Sequence, residues 1–420
     1  MSVFDHVKNA SEQLKAYTKA AVDDIYHICE TFGPRPCGED GEKNAQLYLM
    51  EELKKAADEG TVKRETYKVS PEAFMGFVPV GGTLLLSATA FNFLSAYKKK
   101  NFAVGSLACI AATLVEIVEE FGLYKEFLDK LPMFPEKESG NVYGVRKAKG
   151  ETKRRIFVAG HTDSAPEWTY TYRLGSHGVV MVAGYAVLGL LYNTATSLVS
   201  MFGSRDAAKN MTKGLLAFLP AYAALYFFTN PKLHVPGASD DLSGTEIALS
   251  VMKFLDDNDI RFENTEVVTL LTGGEEAGLR GAKAFFKAHP EYAEDGVETM
   301  YAGFDTVRDA DFMAIYKGDM SGVVKNDIRC CNLLQAAAKD AGCDVPIGTI
   351  PLGSTDAAAA SQAGVPATCF VAMDPAPARY YHTRLDTPDN VVPETVQKGL
   401  EIALNTVFRF DEDGLDKYSK

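Results

Sequence analysis

Apolar residues fall into two patterns along this chain. Over most of its length they recur with a helical or a strand period. From about Val3 to Glu30 the spacing is helical, with Val7, Leu14, Tyr17, Ala21 and Ile25 on one face. The turn Phe32-Gly33-Pro34-Arg35-Pro36-Cys37-Gly38 ends that helix, because no helix continues through two prolines. A second amphipathic helix is expected from Gly41 to Ala57, and Val62 to Val69 alternates as a strand does. Strands are expected at Asn141–Val145 and Ile156–Ala159, joined by the charged turn 147–151. After a loop at Gly237, helices (Thr245–Leu255, Leu279–Ala288) alternate with strands (Glu266–Leu271, Thr299–Phe304). A helix at Ile328–Ala341, a strand at Ala367–Ala372 and a final helix at Pro393–Phe408 follow. Strands alternating with helices predict an α/β fold, a mostly parallel central sheet covered by helices on both faces.

The second pattern has no charge at all. Met75–Tyr97 carries none and runs into Lys98-Lys99-Lys100, and Phe102–Val115 is again uncharged, continuing less cleanly to Tyr124. Leu174–Ser204 lacks Lys, Arg, Asp and Glu, and after the polar link Arg205–Lys213 the stretch Gly214–Asn230 is apolar and aromatic. Three of these four runs reach or approach the roughly 20 apolar residues that a bilayer crossing needs. They predict two inserted helical hairpins, residues 75–124 and 174–230, interrupting a main domain made of 1–74, 125–173 and 231–420. A lipid bilayer is then the partner of the hairpins, and the protein is expected to be a multi-pass cell-membrane protein. Buried hairpins or a dimer interface in a water-soluble protein would give the same pattern.

Charge and cysteine content bear on the surroundings. A net charge of -13 over 420 residues, with no basic stripe, excludes nucleic acid as a partner. Both hairpin tips are cationic, and the positive-inside rule would place them in the cytoplasm with the main domain outside. The polar stretch Met1–Ala21 has no signal-peptide pattern, and seven cysteines without a CxxC pair read as reduced core residues, both of which favour the reverse. The membrane side and the oligomeric state stay open at this point.

The densest chemistry follows the strand Val267–Leu271, where Gly273-Gly274 breaks the run and Glu275-Glu276 opens the next helix. Open α/β sheets place their ligand crevice at the carboxyl ends of strands. Two adjacent carboxylates there suit a metal ligand beside a base that activates water, although acidic residues also suit a plain helix N-terminus. His161 ends another strand, with Asp163 two residues on and able to orient an imidazole. Asp240 lies in the glycine-flanked loop Pro236–Gly244, where Asp240, Asp241 or Ser243 could equally cap a helix. Asp305 ends a further strand, and His382 sits in the loop Tyr380–Pro388. Each of these alone has a plain structural reading. Together they bring two of the chain's seven histidines and four carboxylates to separate strand ends and loops.

In that combination, from Gly33-Pro34-Arg35-Pro36 through Tyr381–Thr387, the sequence resembles the M28 family of zinc peptidases, chiefly aminopeptidases. The resemblance implies two zinc ions per chain, His161 and Asp305 binding one, Glu276 and His382 the other, with Asp240 bridging. It implies Glu275 as general base, Tyr381 as a hydroxyl that helps stabilise the oxyanion, and peptides as substrates. Arg35 is expected to serve the turn rather than catalysis. One departure stands out: Ala357, in Ser354-Thr355-Asp356-Ala357, occupies a position where the family commonly has histidine. The alternatives on this fold are a carboxypeptidase, a glutaminyl-cyclase-like enzyme with one zinc, or a non-catalytic receptor or scaffold.

Overall fold

The computed structural model describes Val7 and residues 10–376 and 378–419. In chain order its elements are α1 (Ser11–Phe32), α2 (Asp40–Lys54), β1 (Lys63–Val69), α3 (Pro71–Tyr97), α4 (Phe102–Glu116), β2 (Lys137–Arg146), β3 (Arg154–His161) and β4 (Pro166–Trp168). Then come α5 (Ser176–Phe202), α6 (Arg205–Leu215), α7 (Leu219–Leu225), β5 (Thr229–His234), α8 (Leu242–Asp257), β6 (Thr265–Thr272), α9 (Arg280–Ala288) and β7 (Glu298–Val307). The remainder is β8 (Met313–Asp319), β9 (Val324–Lys325), α10 (Ile328–Asp340), β10 (Ile347–Thr349), α11 (Asp356–Gln362), β11 (Ala367–Ala372) and α12 (Pro393–Asp413). Most of residues 3–9, the start of the first expected helix, lie outside the described residues. The chain divides into two compact units, Met1–Pro71, Glu136–Pro166 and His234–Lys420 forming the first, Glu72–Pro135 and Glu167–Leu233 the second.

The first unit is built on a sheet of order β1-β2-β6-β3-β7-β11-β8-β10, with β9 added on β8. Its centre, β6-β3-β7-β11, is parallel, and antiparallel pairs flank it at β2 and β8. The central strands are buried along nearly their whole length, which is why they read as apolar runs rather than alternating ones. One face packs against α8, α12 and α1 through Leu249, Phe254, Leu404 and Ile25. The other face buries Phe157, Phe285, Phe286 and Tyr301. Full burial of an aromatic such as Phe157 stabilises by roughly 2–3 kcal/mol. Helix α8 starts in direct contact with the strands: a Cβ on Gly244 would collide with the Phe304 carbonyl oxygen, so the helix N-terminus approaches only because that residue is glycine.

The second unit has an apolar core of its own, including Leu85, Ile110 and Leu190, and also turns large apolar side chains outward. Three helical segments, Pro71–Tyr97, Phe102–Gly122 and Ser176–Phe202, are long and apolar enough to cross a membrane. On α5 the exposed positions are Val180, Val187, Leu191 and Leu198, whereas Gly189, Asn193, Thr196, Ser197 and Ser200 face inward. Small and polar residues at helix contacts with apolar residues outside suit a lipid surround. The inward polar groups close on one another. Asn92 Nδ2 donates to Asn193 Oδ1 at 3.0 Å, and Asn193 Nδ2 lies 3.1 Å from Thr89 Oγ1 and 3.0 Å from Tyr222 Oη. Ser197 Oγ lies 3.0 Å from Asn92 Oδ1 and 2.9 Å from Ser106 Oγ.

The fourth apolar run departs from expectation. Gly214–Asn230 is not one long helix but the end of α6, a single 3₁₀ turn at Leu216–Phe218, the short α7, and the start of β5. Pro220 explains the break, since it lacks the N–H that would continue the ladder and sits instead at the start of α7.

Candidate metal centre

Strand register aligns the site. His161, the last residue of β3, pairs with Thr272, the last of β6, and Asp305 in β7 lies opposite Val371 in β11. Beyond Thr272 the chain turns through Gly273–Leu279 before α9 begins. Asp163, fully buried, fixes that turn: its two carboxylate oxygens accept from the backbone N–H groups of Glu275 (3.0 Å) and Glu276 (3.1 Å). Asn141 Oδ1 accepts from Gly273 N at 3.1 Å, Glu42 Oε1 from Gly274 N at 3.2 Å, and the Tyr67 hydroxyl donates to the Gly273 carbonyl at 2.8 Å. Gly274 has φ +61° and no room for a Cβ beside the Tyr67 hydroxyl and Cys37 Sγ. Burial and the Asp163 charge push the Glu42 carboxyl up to about 8.

The Asp240 loop is held just as firmly. The buried Arg35 guanidinium donates to the carbonyls of Thr162 (2.7 Å), Pro236 (2.6 Å) and Gly237 (2.8 Å), tying the end of β3 to the loop before α8. Asp386 accepts from Ser239 N at 2.8 Å and Asp240 N at 3.0 Å. Asp241 caps α8 by accepting from Gly244 N, and also accepts from His161 N and Thr306 N, all within 2.9–3.1 Å. Asp241 thus occupies the capping role, and Asp240 is left to project into the site.

There the side chains converge. Asp240 Oδ1 lies 3.1 Å from His161 Nε2, and its Oδ2 lies 3.2 Å from His382 Nε2. Glu276 Oε1 is 3.1 Å from His382 Nε2, and Glu275 Oε2 is 4.0 Å from His161 Nε2. His161 turns Nδ1 towards Asp163 Oδ1 at 3.4 Å, leaving Nε2 for the centre. The Tyr381 ring stacks on the His382 ring at 3.9 Å. Donor atoms of His161, Asp240 and Glu276 lie within 4.8 Å of one another, as do those of His161, Asp241 and Asp305. Asp305 therefore groups with Asp241, a residue the sequence suggested only as a cap. Ala357 lines a cavity of about 10 Å³ with His161, Glu275, Asp305 and Asp356.

The electrostatics follow from this crowding. Burial raises the Glu275 carboxyl well above its ordinary range, His161 opposing and Glu276, Asp356 and Asp305 adding to the rise. Burial likewise brings Asp305 up to about 7. Burial disfavours a charged His382, but Glu276 and Asp240 outweigh it and push the imidazole up to about 10. Asp240 Oδ2 and Glu276 Oε1 are buried with no hydrogen-bond partner among the described residues. Buried anionic oxygens that converge without donors are what a divalent cation offsets. Mixed imidazole and carboxylate ligation suits zinc, so the residues present fit that metal.

A family model described as Peptidase family M28 matches residues 222–407. Residues 222–407 are thus similar to an M28 peptidase domain. The M28 match covers Asp240, Glu275, Glu276, Asp305, Tyr381 and His382, whereas His161 and Asp163 precede it. Solved structures agree in fold. A zinc aminopeptidase from Bacillus subtilis has 15% identity and a TM-score of 0.54, covering 94% of this chain and 95% of its own. An aminopeptidase from Aneurinibacillus sp. strain AM-1 has 15% identity and a TM-score of 0.54, covering 93% and 94%. A glutaminyl cyclase from Fimbriiglobus ruber has 12% identity and a TM-score of 0.53, covering 93% and 94%. At such identities the likeness speaks of fold. No curated protein is a significant sequence match. The M28 match and the zinc-exopeptidase neighbours support a hydrolase and imply zinc.

Proposed function

We propose that the protein is a membrane-embedded di-zinc aminopeptidase that removes N-terminal residues from peptides. The observation that carries this reading is Asp240, whose two oxygens face two different imidazoles at 3.1 and 3.2 Å, so that one carboxylate is shared between two donor sets. His161 and Asp305 would hold one zinc, Glu276 and His382 the other. Zinc, when bound, supplies an acidified water and a charge that polarises the scissile carbonyl.

The chain's own residues do the rest. Glu275, anchored through its backbone N–H to Asp163, takes a proton from the attacking water and delivers it to the leaving amine. Asp163 positions both Glu275 and the His161 ring, and Tyr381 offers its hydroxyl to the developing oxyanion. A substrate's free amine meets the carboxylates of the site, which gives exopeptidase selection. The three apolar helices, with large aliphatic side chains turned outward, support a cell-membrane location.

The test is metal content together with cleavage of free and N-acetylated peptides by the wild type and by Glu275→Gln. Two zinc ions per chain, with turnover confined to free N-termini and lost in the variant, is the expected result. Equal cleavage of acetylated peptides would overturn the aminopeptidase reading, and release of pyroglutamyl products would turn it to a glutaminyl cyclase.

A further inference from the structure

Helices α3 and α5 end side by side. Arg205, just after α5, donates through Nε to the Ala96 carbonyl (3.1 Å) and through Nη2 to the Tyr97 carbonyl (3.0 Å). Lys100 Nζ reaches the Gly203 carbonyl at 3.4 Å, and Lys209 Nζ stands 5.9 Å from the Tyr97 ring. Charge gathers at this end of the second unit. Residues 97–101 and 203–213 hold Lys98, Lys99, Lys100, Arg205, Lys209 and Lys213 against the single acid Asp206, +6 and -1 giving +5, in a chain whose net charge is -13. The far end of α3 carries an acid instead, Glu72, and Glu119 and Glu120 follow α4, whereas Arg173 precedes α5.

These cations stand on an apolar border. Helix α6 buries Ala208, Thr212 and Leu215 and turns Lys213 outward, and Lys98 and Lys99 are exposed beyond α3. Next to them in sequence, Phe202 (80% exposed), Val104 (57%) and Tyr97 (46%) present apolar and aromatic surface. Exposed apolar and aromatic side chains beside a row of lysines suit the border between acyl chains and headgroups.

We propose that this end of the second unit is a docking surface for acidic phospholipid headgroups, with Lys98, Lys99 and Lys213 as the outward charges that meet lipid phosphates. The proposal rests on the membrane reading above. Lysines suit the task, being flexible point charges that follow a fluid anionic surface rather than one fixed ligand. The attraction is electrostatic, so salt screens it, and a zwitterionic headgroup layer with no net charge gives little of it. Such docking fixes which end of the helices faces the anionic leaflet.

The full-length protein in lipid nanodiscs tests this. Leu191→Trp in a Trp168→Phe background puts the only tryptophan on the outward face of α5, where it reports insertion through quenching by bromine-labelled lipids. With quenching present, replacing about 30% of phosphatidylcholine by phosphatidylglycerol should raise Tm by about 3 °C or more at low salt. Raising salt to about 0.5 M should abolish the rise. Lys98→Gln/Lys99→Gln/Lys213→Gln should lose most of it, and the corresponding triple arginine variant should keep it. Arg205 Nη2 donates to the Lys98 backbone carbonyl, but the side chains of these three lysines make no hydrogen bond among the described residues, so the variants should fold. Equal Tm in both lipids, or a rise undiminished in the glutamine variant, overturns the docking proposal and leaves the membrane reading standing. Absence of quenching in both lipids overturns the membrane reading, and this proposal with it.

Discussion

Asn193 and Asp240 are both buried polar side chains at the centre of their compact units, and they differ in how their hydrogen-bonding capacity is met. Asn193 gives its amide N–H groups to Thr89 and Tyr222 and accepts from Asn92, so its neutral network closes on itself. Asp240 has its backbone held by Asp386, yet its Oδ2 meets only one imidazole nitrogen, at 3.2 Å, which it shares with Glu276. The first arrangement specifies packing, and the second leaves room for a ligand. Burial alone separates neither, since both residues are almost fully enclosed. What distinguishes them is whether neighbours complement the group or share its charge.

Four measurements would break or sharpen this contrast. The largest effect is expected at Glu275→Gln, which should lower kcat by about 10³-fold or more while metal content is retained, because the proposed base is lost and the proposed ligands stay. Metal loss comes next. A chelator should destabilise the wild type by about 4 kcal/mol when zinc is otherwise supplied near a thousandfold over its Kd. The melting temperature of Asp240→Asn should hardly respond to the same chelator.

Glu246 in α8 tests whether an unpaired buried carboxylate is enough to make a site. Neither of its oxygens has a hydrogen-bond partner among the described residues, yet no second donor set gathers round it. Burial, opposed by Lys253 and assisted by Asp24 and Glu52, pushes its carboxyl up to about 8. Its contribution to stability is therefore present below the unfolded value near about 4.3 and is lost as pH rises to about 8. Glu246→Gln should match the wild type at about pH 4 and be more stable by about 4 kcal/mol at about pH 7.5, as read by urea unfolding. The smallest effect is expected at Asn193→Leu, a loss of about 1 kcal/mol in detergent or bilayer with kcat on a short peptide unchanged.

The parts of the molecule that follow one period were legible in the sequence. The run Val267–Leu271 became β6, Gly273-Gly274 became the turn, and the helices at Gly41–Ala57 and Pro393–Phe408 were found within a few residues of their ends. Short elements without an apolar run were not legible, although the six-residue β11 was. β8, β10 and α11 are three to seven residues long and lie among glycines, alanines and charged residues with no sustained period. Gly214–Asn230 misled because composition outweighed Pro220. Of the residues expected in the site, His161, Asp240, Glu275, Glu276 and His382 approach one another within 4.0 Å, Asp305 groups with His161, Asp163 holds the Glu275 and Glu276 backbone, and Tyr381 stacks on His382. Their supports stayed hidden: Glu42 and Asn141 hold the Gly273-Gly274 turn from distant segments, and nothing local marks a buried polar residue on α2 or β2. Asp386 had a signal, since it stands four residues after His382 in the same loop.

That carboxylate also sets a schedule for the making of the protein. Asp386 fixes the backbone of Asp240 but is translated long after it, as is His382. A nascent chain that has already released its apolar helices from the ribosome therefore holds His161 and Glu275 with an untethered Asp240 and one imidazole short. Any hydrolytic competence of the proposed site therefore waits until His382 and Asp386 have been made.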